Sequence, residues 1–123
     1  MIVIERDGKF LFGKRAHWKT VAPGYWCPIS GHIEEGESEE EAVIREAQEE
    51  IGVSVIPLRK ITESDTHDGK IRLHWWLTKI QAGEPALVSD ENSQLRWVSP
   101  DQFFELKPSF EEDLAIIRDL KDK

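Results

Sequence analysis

The segment Gly31–Val53, GHIEEGESEEEAVIREAQEEIGV, constrains this chain more than any other, because it carries a helix with both ends marked. Ser38 followed by Glu41 has the spacing of a capping box. In that motif the hydroxyl and the carboxylate each satisfy a backbone N–H that the first helical turn leaves without a partner. The helix is therefore expected to start at about Glu39, and Gly52 supplies the left-handed residue that commonly ends one. With about 100° per residue and Glu46 at zero, Glu49 falls at roughly 300° and Glu50 at roughly 40°. Val43, Ala47, Ile51 and Ile44 fill the adjacent arc, roughly 60° to 160° on the same wheel. The wheel predicts a buried side with a carboxylate cluster at its edge. Glu46 and Glu50 are like charges one turn apart and repel by about 0.2–0.5 kcal/mol. A solvated acidic face tolerates that repulsion. A divalent cation turns it into an oxygen cage of the kind that suits Mg²⁺ or Mn²⁺.

A chain of 123 residues is expected to form one domain, residues 1–123, around a single core. Hydrophobic residues at 39% and charged residues at 33% describe a folded globular chain rather than a disordered one. The net charge of −8 argues against general affinity for long nucleic acid or an anionic membrane. It leaves room for a phosphorylated small molecule whose charge a metal neutralises. The lone Cys27 excludes an intrachain disulfide, fits a reducing compartment, lacks the partners of a zinc site and reads as a small buried hydrophobe. No signal peptide is expected, since MIVIERDGKF reaches Asp7 and Gly8 before any apolar leader core. No stretch approaches the roughly 18 apolar residues of a membrane span. The expected location is the cytoplasm.

Around the acidic helix the pattern is mainly strand. Ile2-Val3-Ile4 and Phe10-Leu11-Phe12 flank Asp7-Gly8, a type I′ hairpin signal, so the chain enters a strand almost at Met1. Gly13 to Gly24 reads as a loop carrying Lys14, Arg15, His17, Trp18 and Lys19, the most basic short segment of an acidic chain. Either it is simply solvated or it meets phosphate or a base. Val53 to Thr62 is β-rich, with Pro57 suggesting an edge or a bulge. Asp68-Gly69 marks a second hairpin turn. In Ile71–Ile80, Ile71, Leu73, Trp75 and Leu77 are expected to face the core, opposite Arg72, His74, Trp76 and Thr78. The second set can hold a nucleobase or phosphate, or it can pack under a loop or helix. Gly83 to Gln94 reads as a polar loop and Leu95–Val98 as a last short strand. Ser99-Pro100 with Gln102, and Ser109 with Glu112, mark two further helix starts. The final helix would present Phe110, Leu114, Ile117 and Leu120 on one face. Strands interleaved with helices suggest a mixed sheet with helices on its faces.

Gly31, Glu37, Arg45, Glu46, Glu49, Glu50 and Gly52 resemble the Nudix (MutT-like) arrangement. That pattern runs Gly, five residues, Glu, seven residues, Arg-Glu, an apolar residue, any residue, Glu-Glu, any residue, Gly, an apolar residue. Ala47 and Val53 fill the two apolar positions, and the flanks agree: a hairpin before the box, then Arg96-Trp97-Val98 and a helix after it. The resemblance implies an α/β/α sandwich, a mixed β-sheet flanked by helices, whose box forms a loop, a helix and a loop. It implies divalent-metal-dependent cleavage of a phosphoanhydride in a nucleoside diphosphate linked to another group, and dimers in many members. Residue by residue, Glu49 and Glu50 match the principal metal ligands, with Mg²⁺ or Mn²⁺ as the ion. Glu46 matches a further ligand or the general base, and Glu37 with Arg45 a pair that orients the loop against the helix. The carbonyl before the box glycine, that of Ser30 in this chain, matches another ligand. Some members add a carboxylate from a distant loop shortly before the last strand, a role that Glu91 fits ahead of Asp90 and Glu84. Members commonly enter the box through Pro-Gly-Gly. This chain reads Pro28-Ile29-Ser30-Gly31, a departure that bears on the loop's backbone, since Ser does not adopt glycine-only angles cheaply.

The expected substrate is a small nucleotide, either a nucleoside triphosphate, normal or oxidised, or an ADP-sugar such as ADP-ribose. Arg15 and Lys14 are candidates for holding phosphate, and Trp18, Trp26, His74 and Trp76 for holding the base. A non-catalytic Nudix sensor that binds nucleotide is the alternative from another class. A capped RNA substrate is disfavoured by the charge of −8.

Overall fold

A computed structural model describes residues 1–66 and 68–122. Asp7 and Gly8 take φ values of 53° and 77°, the geometry of a type I′ turn, and so join β1 (Ile2–Arg6) to β2 (Lys9–Arg15). Four more strands follow: β3 (Trp26–Cys27), β4 (Ser54–Asp65), β5 (Arg72–Ala82) and β6 (Asn92–Val98). The sheet order is β3-β2-β1-β5-β4, with β6 also paired to β2. β1 is antiparallel to β2 through Glu5 and Arg6 but parallel to β5 through Ile2–Ile4, so the sheet is mixed. β4 and β5 form a long antiparallel hairpin with a register shift at Pro57, as the proline suggested. Gly69, at φ 72°, supports the turn between them; His67 lies outside the described residues.

Side-chain alternation divides the core into two layers. Ile2, Ile4 and Leu11 meet Val43, Ala47 and Ile51 of α1 (Glu39–Ile51) on one face. Val3, Phe10, Phe12 and Trp75 meet Phe103 of a short 3-10 helix (Pro100–Glu105) and Leu114 and Ile117 of α2 (Glu111–Arg118) on the other. The architecture is therefore helix, mixed sheet, helix. Phe103 sits edge-on to Phe12 at 5.5 Å, and the 3-10 helix keeps the Ser99–Gln102 box.

The local expectations meet tertiary structure unevenly. The Ser38–Glu41 box is complete, with Glu41 N–H donating to Ser38 Oγ at 3.1 Å and Ser38 N–H to Glu41 Oε1 at 2.9 Å, and Gly52 ends α1 at φ 71°. Gly13–Arg15 is strand, not loop, because β2 is hydrogen-bonded to β3 on one side and β6 on the other. Ser109 is not a cap: it forms a parallel bridge with Trp26, and α2 starts after Phe110. On β5, Trp75 is fully buried, but Ile71 is 52% exposed just before the strand begins. The opposite face is also covered. Trp76 and Ile80 pack against the α1 layer, and the buried Thr78 hydroxyl donates to Val3 O at 3.1 Å. β5 lies between the α1 and α2 layers, so both faces are covered along this part of the strand, the packing alternative for that face.

Candidate active site

Arg45 knots the box together. Its Nε donates to Glu37 Oε2 at 2.7 Å and its Nη2 to Glu37 Oε1 at 2.9 Å, a bidentate pair. Nη2 also reaches His32 O at 2.8 Å, while Nη1 bridges Glu46 Oε1 at 2.7 Å and Glu49 Oε2 at 3.0 Å. One side chain thus ties the loop before α1 to two of the three helix acids. The bonds to Glu37 and Glu46 hold the guanidinium above its ordinary pKa, and the same contact pulls Glu37 down to about 2.

Glu49 lies at the edge of the buried arc, as the wheel suggested, but Glu46 and Glu50 do not. The buried residues of α1 are Ala42, Val43, Ala47 and Ile51, while Ile44 is 43% exposed. That set brackets Glu46 and Glu50. Glu46 keeps only 12% of its side-chain surface, and a Cβ on Gly31 would fall 2.0 Å from its carboxylate carbon. The box glycine is thus required for space, not for φ, since it is absent from the glycines with positive φ. Nor does Ser30 have a positive φ, so the departure from Pro-Gly-Gly introduces no strain of that kind. Burial pushes the Glu50 carboxyl up, Ser89 Oγ opposes this by donating to Glu50 Oε2 at 2.6 Å, and Glu46 and Glu49 raise it further. Ser89 also accepts from the Glu91 N–H at 3.3 Å, and Glu91 is ion-paired with Lys19.

Glu46, Glu50, Lys19 and Glu91 are among the residues that line a cleft of about 1150 Å³. Glu46, Glu49, Glu50, Ser30 and Gly31 form one wall, with Arg15, Lys19 and Glu91 beside them. The distal β4–β5 hairpin and the start of α2 complete it. Of the expected substrate-binding residues, Arg15, His74 and Trp76 line the cleft; Lys14, Trp18 and Trp26 are not among its lining residues. Trp26 is 9% exposed and belongs to the core layer around Phe12 and Phe103, because its place in β3 turns it away from the cleft. Trp18 is 52% exposed, with the Lys19 ammonium 5.3 Å from its ring centre. Lys14 is a half-buried residue of β2, opposite Gln94 and Trp26 in the sheet register. Arg15 already donates from Nε to Val21 O at 2.9 Å.

The aromatic lining comes instead from Tyr25 and Phe110, stacked at 4.7 Å, together with Trp76. Trp76 Nε1 donates to Glu39 Oε1 at 2.9 Å, the main reason Glu39 titrates below its usual range. Glu39, Glu63 and His74 bring ligand atoms within 4.8 Å of one another, but the Lys60 ammonium stands among them, 2.6 Å from Glu63 and 3.0 Å from Glu39. At the α2 end, Asp113 is half-buried and pushed up to about 6, first by burial and then by Glu112. Lys19 lies in the basic segment whose functional reading is contact with phosphate or a base, whereas Ser89, Tyr25 and Asp113 were passed over as site residues. Ser89 had the one local signal, a serine two positions before the chosen acid.

Cys27 lines the cleft but is 8% exposed, and burial pushes its thiol up to about 12. Only the thiolate reacts, so a thiol reagent at pH 8 is expected to leave folded protein unmodified and to label it rapidly once denatured. The protonated thiol's contribution to stability is complete below the unfolded pKa near 9 and falls away as pH rises towards 12. Labelling of folded protein within minutes, followed by mass spectrometry, would contradict this burial.

Glu46, Glu49 and Glu50 bring three carboxylates to one wall of the cleft, oxygen chemistry of the kind that suits a hard divalent cation, although among the described residues the group whose ligand atoms already lie within 4.8 Å of one another is Glu39, Glu63 and His74. The glycine cradle and the crowded, desolvated Glu50 fit such an ion. A family model described as NUDIX domain matches residues 1–120, and the chain belongs to that family of metal-dependent hydrolases of nucleoside diphosphate derivatives. The chain is 30% identical to the nucleoside triphosphatase NudI of Salmonella arizonae (strain ATCC BAA-731 / CDC346-86 / RSK2980) over 113 residues, covering 82% of this chain and 80% of that protein. Among solved structures, a MutT protein from Methanosarcina mazei Go1 superposes with a TM-score of 0.82 at 20% identity, over 99% of this chain and 91% of that one. The E. coli ORF135 protein follows with a TM-score of 0.72 at 26% identity, over 98% and 86%. Among the described residues, no helix is long and apolar enough to cross a membrane.

Proposed function

We propose that this enzyme hydrolyses nucleoside triphosphates to a nucleoside monophosphate and pyrophosphate. The observation that carries the reading is one cleft lined by the α1 acids and Glu91 with the cations Arg15 and Lys19 beside them. The triphosphatase name of the 30%-identical NudI relative supports the choice of substrate. Glu46, Glu49, Glu50 and the Ser30 carbonyl would hold Mg²⁺ or Mn²⁺, which neutralises phosphate oxygens and lowers the pKa of water. Arg45 keeps Glu46 and Glu49 aimed into the cleft, and Gly31 leaves room for Glu46. Arg15 and Lys19 meet the phosphates, while Tyr25, Phe110 and Trp76 offer flat surfaces to the base. Water adds across the anhydride between the α and β phosphorus atoms, and its proton goes to Glu91. Glu46 is the weaker candidate for that base, because it is already assigned to the metal and held by Arg45, which donates to it at 2.7 Å.

Cleft volume favours a second reading. At about 1150 Å³ the cleft exceeds the roughly 300–1,000 Å³ of common small-molecule sites and admits a two-headed ADP-sugar. A panel of nucleoside triphosphates, oxidised triphosphates and ADP-ribose, with Mg²⁺ or Mn²⁺, separates them. Pyrophosphate release from triphosphates is expected. AMP from ADP-ribose without pyrophosphate from any triphosphate would overturn the first reading in favour of the second. Glu91→Gln is expected to lower turnover about 10²-fold, and near-normal rates would remove it as the base.

A further inference from the structure

Lys19 stands on the loop after β2, which meets Glu91 at two points. Ala16 N–H donates to Glu91 O at 2.9 Å, Lys19 N–H donates to Ala16 O at 3.2 Å, and the Lys19 ammonium pairs with the Glu91 carboxylate. Among the described residues Glu91 is its one ion-pair partner, although Glu50 and Asp90 also lie within its field. The cations in and beside the cleft are otherwise committed: Arg45 is bound to Glu37, Glu46, Glu49 and a carbonyl, Arg15 to Val21 O, and Arg72 to Glu63 and Asp65. Lys19 has a flexible stem, three donors and 21% of its side-chain surface open.

We propose that Lys19 is an exchangeable counter-ion. In the free protein it masks Glu91; when nucleotide binds it moves to a phosphate oxygen, and Glu91 becomes free to accept the proton of water. This inference rests on the reading of Glu91 as the base. A carboxylate paired with an ammonium is a poorer base than the same group alone, so the exchange ties proton abstraction to the arrival of a polyanion. Partly exposed pairs are weakly held, which makes the exchange easy, and the new bond to phosphate is charge-assisted.

Lys19 then acts in opposite directions on the two ligands. It competes with a cation for the acids and assists the nucleotide. Calorimetric titration of Lys19→Met with Mn²⁺ alone is expected to give about threefold tighter binding than wild type. Titration with an α,β-methylene nucleoside triphosphate at saturating Mn²⁺ is expected to give about tenfold weaker binding. Lys19→Arg should stay within about twofold of wild type on both, since it keeps the charge. Mn²⁺ binding that weakens or stays unchanged in Lys19→Met, or analogue binding that stays unchanged, overturns the exchange. Wild-type protein that binds no Mn²⁺ overturns the metal reading as well, a separate outcome visible before any variant is made.

Discussion

Glu50→Gln is expected to lower turnover about 10³-fold and, in the absence of metal, to leave the melting temperature unchanged or raise it by a few degrees, about 2–4 °C. The two effects share a cause. Burial, Glu46 and Glu49 hold the folded-state pKa of Glu50 above its unfolded value of 4.5. A carboxyl raised in this way supports folding fully below the unfolded pKa and loses that support as pH rises through the folded pKa. At neutral pH without metal, the ionised Glu50 therefore opposes folding. The amide keeps the shape and removes the charge. A bound cation reverses the balance, stabilising wild type by mass action and the variant far less. Thermal denaturation of both proteins with EDTA and then with Mn²⁺, alongside pyrophosphate release, checks each part. Turnover within a few-fold of wild type would remove Glu50 from the metal set. An equal Mn²⁺ shift in both proteins would do the same without reference to catalysis.

Gly31→Ala is expected to reduce turnover about 10²-fold while moving the melting temperature by less than about 5 °C. The backbone accepts alanine, because Gly31 is not among the positive-φ glycines. The new methyl carbon, however, would lie 2.0 Å from Glu46 Cδ and 2.2 Å from its Oε2, inside any tolerable contact. The neighbour that must yield is the end of a side chain, so the fold survives while the carboxylate leaves its position and its bond to Arg45. Gly36, by contrast, has φ 81° and open space around it, so alanine there acts through backbone strain and should leave the acids alone. Loss of activity in Gly31→Ala comparable to that in Gly36→Ala, with equal loss of stability, would mean that the box glycine is needed for folding rather than for room.

What could be read from the chain was local. Ser38 with Glu41, Asp7-Gly8 and Gly52 specify a cap, a turn and a stop within a few residues, and each appears as written. What failed depended on neighbours from elsewhere. Ser109 carries the same motif as Ser38, but its backbone is engaged with Trp26 across the fold. Tyr25 and Trp26 are adjacent aromatics, and the register of a two-residue strand decides that the first lines the cleft and the second fills the core. A helical wheel locates apolar residues, yet Glu46 lies inside the buried arc because the Gly31 loop covers it. Lys19 and Ser89 join the acids only when β2 and β6 bring their loops together. The acids Glu46, Glu49 and Glu50 were legible as a group because they lie within two turns of one helix. Of the residues that face them across the cleft, Arg15, His74 and Trp76 were expected, whereas Tyr25 and Phe110 were not, because only the fold brings those separate segments to one cleft.

The long hairpin has a further consequence, for descent. β4 and β5 run 12 and 11 residues, about twice the length of an ordinary strand, and their distal half forms one wall of the cleft through Ser64, Asp65, Ile71, Arg72 and Leu73. The side chains and carbonyl that fix the acids, Glu37, His32, Arg45, Gly31 and Ser89, all lie elsewhere. Changes at the hairpin tip therefore reshape what the cleft accepts without disturbing how it cuts, so a lineage can exchange one nucleotide for another while inheriting the same reaction.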